Sequence, residues 1–189
     1  FSCDRGIPSV NLVANPSIES STISEYTVVG SAISQSTDQA SDGSNSLLVN
    51  PANSAAGEGF YWATPGMSGN AHDGEVWLTA QCEVRGASAA SAVQIAIQDS
   101  SGTDIIVGNT ISLSTAFQAL QVKYRLPITG SASYRVIVRT TTQHNINFYV
   151  DKIHVEQRIG DSNYAPYVDG GQGINYEWEG AANLSPSKR

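Results

Sequence analysis

The stretch EVWLTAQCEVR, residues 75–85, alternates without a break. Val76, Leu78, Ala80, Cys82 and Val84 are apolar, while Glu75, Trp77, Thr79, Gln81, Glu83 and Arg85 stand between them. Successive side chains of an extended chain point to opposite faces, so this pattern is a strand with one buried and one outward face. The same period recurs. Val93, Ile95 and Ile97 share a face, as do Leu120, Val122, Tyr124 and Leu126, and then Tyr134, Val136 and Val138. NSLLVN, FYWA and DIIVGN are further short strands. SDGSN, TPGMSGN, SSGTD and PITGS separate them as turns. No segment carries a sustained helical period. Many short strands at this spacing imply an all-β, antiparallel β-sandwich or barrel.

With 189 residues, 40% hydrophobic and 14% charged, the chain can bury one substantial core under a polar, weakly charged surface. A net charge of −7 argues against nucleic acid as a partner, which calls for a basic footprint. No apolar run approaches the length of a membrane span, so no membrane insertion is expected. The two cysteines, Cys3 and Cys82, are too few for a disulfide scaffold. Two free thiols is the reading, with Cys82 a small buried strand residue, and a single bridge is the alternative.

The order of local patterns carries a resemblance. NLVANPSIE (residues 11–19), ASDGSNSLLV (40–49), VWLTAQCEVRG (76–86), TAFQALQVKY (115–124) and NFYVDKIHVEQ (147–157) follow one another. This series resembles the jelly-roll carbohydrate-binding modules of the galactose-binding-like superfamily. The form found in bacteriophage tail proteins is the most similar, because Tyr164, Pro166, Tyr167, Asp169 and Gly170 follow the closing strand, and YEWEG comes after them. Tyr26 stands near where the family often has a Trp. The resemblance implies a jelly roll over residues 10–158, after a lead-in at 1–9. Residues 159–189 read as an irregular C-terminal extension for assembly or docking.

Asp151 is a lone acid between Val150 and Lys152 in an apolar strand. The resemblance implies a structural Ca²⁺ held by Glu19 and Asp151, with Asp42 as a third candidate and loop carbonyls completing the set. Ca²⁺ takes about six to eight hard oxygen ligands. The residues also allow another reading, in which Asp151 anchors a bulge and accepts N–H bonds. Phe148 and Val150 share one parity and Ile153 and Val155 the other, so the strand changes face there. His154 then falls on the solvent side of the strand.

The outward residues suggest a sugar-binding face. Trp77, Gln81, Glu83 and Arg85 line one strand, with Gln121, Lys123 and Arg125 on another and Arg135 and Arg139 on a third. Tyr149 joins them, and Tyr61 and Trp62 are expected to rim the face. Aromatic rings supply a platform, and amide or charged groups bind hydroxyls. The same residues also suit an ordinary wet sheet face. In the extension, Tyr164, Tyr167, Tyr176 and Trp178 are expected assembly contacts.

Enzyme motifs are missing. His72, His144 and His154 form no HExxH pair, and Asn70 replaces the second glycine of a nucleophile elbow in GMSGN. The expectation is a non-catalytic virion protein, from a phage tail or capsid decoration, that attaches to host-surface glycans or to the particle. Its partners would be other virion subunits, with the chain oligomeric in the particle and its location virion or extracellular. A purely structural virion protein, and the binding module of a secreted polysaccharide hydrolase, are the alternatives.

Overall fold

The computed structural model describes residues 10–69, 75–89, 91–128, 130–160, 163–169, 177–182 and 187–188. Cys3, His72 and Tyr176 lie outside the described residues. The strands are β1 (Val10–Asn11), β2 (Tyr26–Val29), β3 (Ser31–Ser36), β4 (Ser46–Pro51), β5 (Gly59–Ala63), β6 (Val76–Gly86) and β7 (Ala92–Asp99). They continue as β8 (Asp104–Ser112), β9 (Gln118–Arg125), β10 (Tyr134–Thr140), β11 (Phe148–Ile159), β12 (Glu177–Trp178) and β13 (Ser187–Lys188). Two five-stranded antiparallel sheets face each other, ordered β3-β4-β11-β6-β9 and β2-β5-β10-β7-β8. The fold is an all-β sandwich, as the alternation predicts, and has the jelly-roll form that the resemblance implies.

The alternating faces meet in the middle. Val76, Leu78, Ala80, Cys82 and Val84 of β6 pack with Leu120 and Val122 of β9 and with Val93, Ile95 and Ile97 from the opposite sheet. Val136 and Val138 of β10 join them. Cys82 is a free thiol inside this core, and burial pushes its pKa up. At the open edge, the Asn109 side chain of β8 accepts from Gln121 N at 2.6 Å and donates to Ala119 O at 2.9 Å. An amide side chain thereby bridges the edges of the two sheets where no backbone ladder joins them.

The bulge in β11 is where the parity change places it. Asp151 pairs with Glu83 and His154 pairs with Gln81, so three steps on β11 match two on β6. Lys152 absorbs the extra residue at φ 50°. Phe148, Val150, Ile153 and Val155 therefore all face the core. Beyond the bulge β4 no longer pairs with β11, and the N-terminal segment takes its place. Leu12 N donates to Val155 O at 2.8 Å and Ile153 N donates to Pro16 O at 2.9 Å.

The extension does not stand apart. Residues 163–169 fold back as a strap over the outward face of the β3-β4-β11-β6-β9 sheet. Gln81 Nε2 donates to Ala165 O at 2.7 Å, and Asn11 Nδ2 donates to Val168 O at 3.1 Å. Ser17 Oγ and Tyr167 OH both donate to Asp169 Oδ2, at 2.6 and 3.1 Å. Val168 is fully buried. Further on, β13 pairs with both β1 and β12.

Candidate functional site

Two outward sheet faces are available, and the structure treats them differently. The β3-β4-β11-β6-β9 face carries Trp77, Gln81, Glu83, Arg85 and Tyr149 together, as the sequence implies. Most of their polar groups are already engaged within the chain. Gln81 binds the strap at Ala165. Glu83 pairs with Lys152 at 3.4 Å. Arg85 bonds Gln39 and lies 5.8 Å from the Phe117 ring centroid. Lys123 sits between two rings, 5.9 Å from Trp77 and 6.0 Å from Tyr164. Tyr149 is buried. A cavity of about 230 Å³ remains, lined by Gln81, Glu83, Ala119, Lys152, Pro166 and Tyr167.

Beneath the Tyr167 end of the strap the face is buried. His154 is 2% exposed and Glu156 3%, contrary to the solvent-facing position expected for His154. The Tyr167 ring roofs it, 6.3 Å from the imidazole in a T-shaped contact. His154 Nε2 lies 3.5 Å from Glu156 Oε2, and Arg158 Nη1 reaches the same oxygen at 3.2 Å. Tyr164 and Tyr167, expected as assembly contacts, thus rest on their own sheet. Trp178 is half-buried in β12, paired to β13.

Tyr61 and Trp62 do not rim this face, because both lie on β5 of the other sheet. Adjacent strand residues point to opposite sides, and the two part accordingly. Trp62 is a core residue, 7% exposed, whose Nε1 donates to Glu25 Oε2 at 3.1 Å. Burial raises the Glu25 pKa, and N–H bonds from Ala14 and Asn15 oppose that rise. Trp62 and Glu25 thus hold the N-terminal segment. Arg135 and Arg139, expected beside Trp77, also belong to this second sheet, on β10.

The outward face of the β2-β5-β10-β7-β8 sheet is therefore built around Tyr61. Arg135 Cζ stacks 4.6 Å from the Tyr61 ring centroid. Ile137 and Ala96, paired across β10 and β7, are buried beneath this face. Arg139 forms a fork with Asp104, Nη1 to Oδ1 at 3.1 Å and Nη2 to Oδ2 at 2.5 Å. Gln98 Nε2 donates to Asp104 Oδ1 at 2.8 Å. Burial would raise the Asp104 pKa, but these bonds outweigh it and hold the carboxyl below its usual value. With its amide turned toward Arg139, Gln94 accepts from Nε at 2.9 Å. Among the described residues no other segment hydrogen-bonds across this face.

The acids expected to hold Ca²⁺ do converge on one loop. Glu19 Oε1 accepts from Ser44 N and Asn45 N at 2.8 and 2.9 Å, and its Oε2 accepts from Asn45 Nδ2 at 2.9 Å. Glu19 lies close over Gly43, which takes φ +65°; a Cβ there would meet Oε1 at 2.3 Å. From the other side Asp151, fully buried, accepts from Ser41 N at 2.7 Å, Asp42 N at 3.0 Å and Lys152 N at 2.7 Å. Asp42 thus serves through its backbone N–H. Burial raises the Asp151 pKa to about 6 against the lowering effect of these N–H bonds. Among the described residues no three His, Cys, Asp or Glu side chains gather as a metal set. The carboxylate oxygens of Glu19 and Asp151 accept N–H bonds from the 41–45 loop and make a hydrogen-bonded latch.

Against solved structures, the chain is similar to the xylan-binding CBM22-1 domain of Paenibacillus barcinonensis Xyn10C. The TM-score is 0.58 at 15% identity, covering 82% of this chain and 94% of that one. A family 22 carbohydrate-binding module of Clostridium thermocellum Xyn10B gives 0.52 at 25% identity, over 80% and 99%. The enzymatically active domain of bacteriophage CBA120 tailspike protein 4 gives 0.55 at 14% identity, over 78% of this chain but 21% of that one. No family model and no curated protein matches the sequence. The chain has the jelly-roll fold of the carbohydrate-binding modules.

Proposed function

We propose that this protein is a non-catalytic carbohydrate-binding module whose sugar site is the open face of the β2-β5-β10-β7-β8 sheet. The carrying observation is the Tyr61–Arg135 stack, an aromatic platform on a face that no other described segment crosses. Ile137 and Ala96 are buried beneath the face, and Gln94, Asp104 and Arg139 form a bonded polar cluster beside the ring whose remaining donors and acceptors can meet hydroxyls. A flat ring beside fixed polar groups is how a shallow protein surface holds a pyranose. Asp104 is the acid of this face and is committed to Arg139, which favours binding over hydrolysis. The covered face around Trp77 suits an internal role, because its polar groups hold the strap.

The setting we propose is a phage virion, with the module serving host-surface glycan attachment, particle assembly, or both. The tailspike similarity and the Tyr164–Asp169 tail support it. The binding module of a secreted polysaccharide hydrolase is the second reading, favoured by the xylan-binding neighbours. Both settings place the protein outside a cell or on a particle. A glycan array on the purified chain tests the common element. Binding that is lost in Tyr61→Ala at unchanged fold supports it, and no binding to any bacterial or plant glycan leaves a purely structural protein.

A further inference from the structure

The open face carries more positive charge than its protein does. The chain has a net charge of −7, yet among the described residues whose side chains pair on this face Arg135 and Arg139 stand with Asp104. Arg139 is neutralised by its fork to Asp104 and further held by Gln94. Arg135 makes no ion pair among the described residues. The Tyr61 ring lies against its guanidinium on one side, and Gly102 in the β7–β8 turn gives it clearance on another. Gly102 takes φ +94°, and a Cβ there would come within 2.9 Å of Arg135 Nη1. The turn sequence SSGTD thereby leaves room for this one side chain.

We infer that the open face selects an acidic glycan, with Arg135 receiving the carboxylate of a uronic acid residue. This rests on the carbohydrate-binding reading of the same face and gives it a substrate class. The chemistry is specific. A guanidinium offers parallel N–H donors in a planar fork that matches a carboxylate, and stacking on an aromatic ring removes much of the entropy it would otherwise lose. A neutral sugar could use Tyr61 but would leave the Arg135 charge without a counterpart. The overall negative charge repels acidic polymers, so a positioned cation is needed where one binds.

The test uses one oligosaccharide in two forms: a hexuronate oligomer, and the same oligomer with its carboxyl groups reduced to primary alcohols. Titration calorimetry on the full chain is expected to show the acidic form binding at least tenfold tighter, with affinity falling as salt rises. Arg135→Gln should lower affinity for the acidic form by about tenfold to a hundredfold and bring the two forms level. Arg135→Lys, which keeps the charge but not the fork, should fall between, and it reads the same point if Arg135→Gln fails to fold. Equal wild-type binding of both forms, or an Arg135→Gln variant as tight as wild type, overturns the acidic-glycan inference and leaves glycan binding standing. Binding to neither form, nor to any array glycan, overturns both.

Discussion

Gln81 Nε2 donates to the carbonyl of Ala165 at 2.7 Å, across 84 residues of chain. That bond fastens the strap to the sheet. Gln81→Ala is expected to cost about 1 kcal/mol, since an intramolecular hydrogen bond nets about that much. Val168→Ala, at a fully buried position of the strap, should cost about 1–3 kcal/mol from lost burial and the small cavity left behind. Urea unfolding reads both. If the strap is detached in solution, both substitutions will be silent.

The Asp151 latch has a pH signature. Burial raises its carboxyl pKa to about 6, against about 3.9 in an unfolded chain. Between those values the folded state holds more protons than the unfolded state, so the contribution of this group to stability falls as pH rises. Relative to Asp151→Asn, the wild type should gain about 1–3 kcal/mol between pH 7.5 and pH 4. Urea melts of both proteins across that range measure it, and a gap that narrows toward acid would contradict the raised pKa. Asp151→Ala, which strands the N–H groups of Ser41, Asp42 and Lys152, should cost about 3 kcal/mol or more at pH 7.

Chelation separates the latch from a metal. With Glu19 and Asp151 facing N–H donors, EDTA is expected to leave the melting temperature unchanged. A fall of several degrees that Ca²⁺ restores would assign a cation to the 41–45 loop, as the sequence resemblance implies, and the latch would no longer be the whole account.

Tyr61 and Trp62 should separate in experiment as they do in space. Tyr61→Ala is expected to abolish glycan binding while changing stability by less than about 1 kcal/mol, since the ring stands on the surface. Trp62→Ala removes a core ring and the donor to Glu25, and should cost about 3–5 kcal/mol. Thermal melts and glycan titration on the two variants suffice. Similar losses of stability in both would place Tyr61 in the core.

The alternation in residues 75–85 by itself determined the buried side of β6, and the same rule held for β7, β9 and β10. The parity change from Val150 to Ile153 located the bulge, because inward pairs of opposite parity cannot share a face without an extra residue. The separation of Tyr61 from Trp62 was missed, because both are expected in or beside a rim loop, and only their place in β5 turns the two neighbours to opposite sides. Which outward face lies open was decided only by the tertiary structure. A strand's polar side reads the same whether water or another segment covers it. The segment that covers Trp77, His154 and Glu156 has no periodicity of its own. It is held by single long-range bonds, Gln81 to Ala165 and Asn11 to Val168, that leave no local pattern. The Arg135 platform was hidden for the same reason: Tyr61, Gly102 and Arg135 come from three separate stretches, and only the pairing of β5, β7 and β10 brings them together.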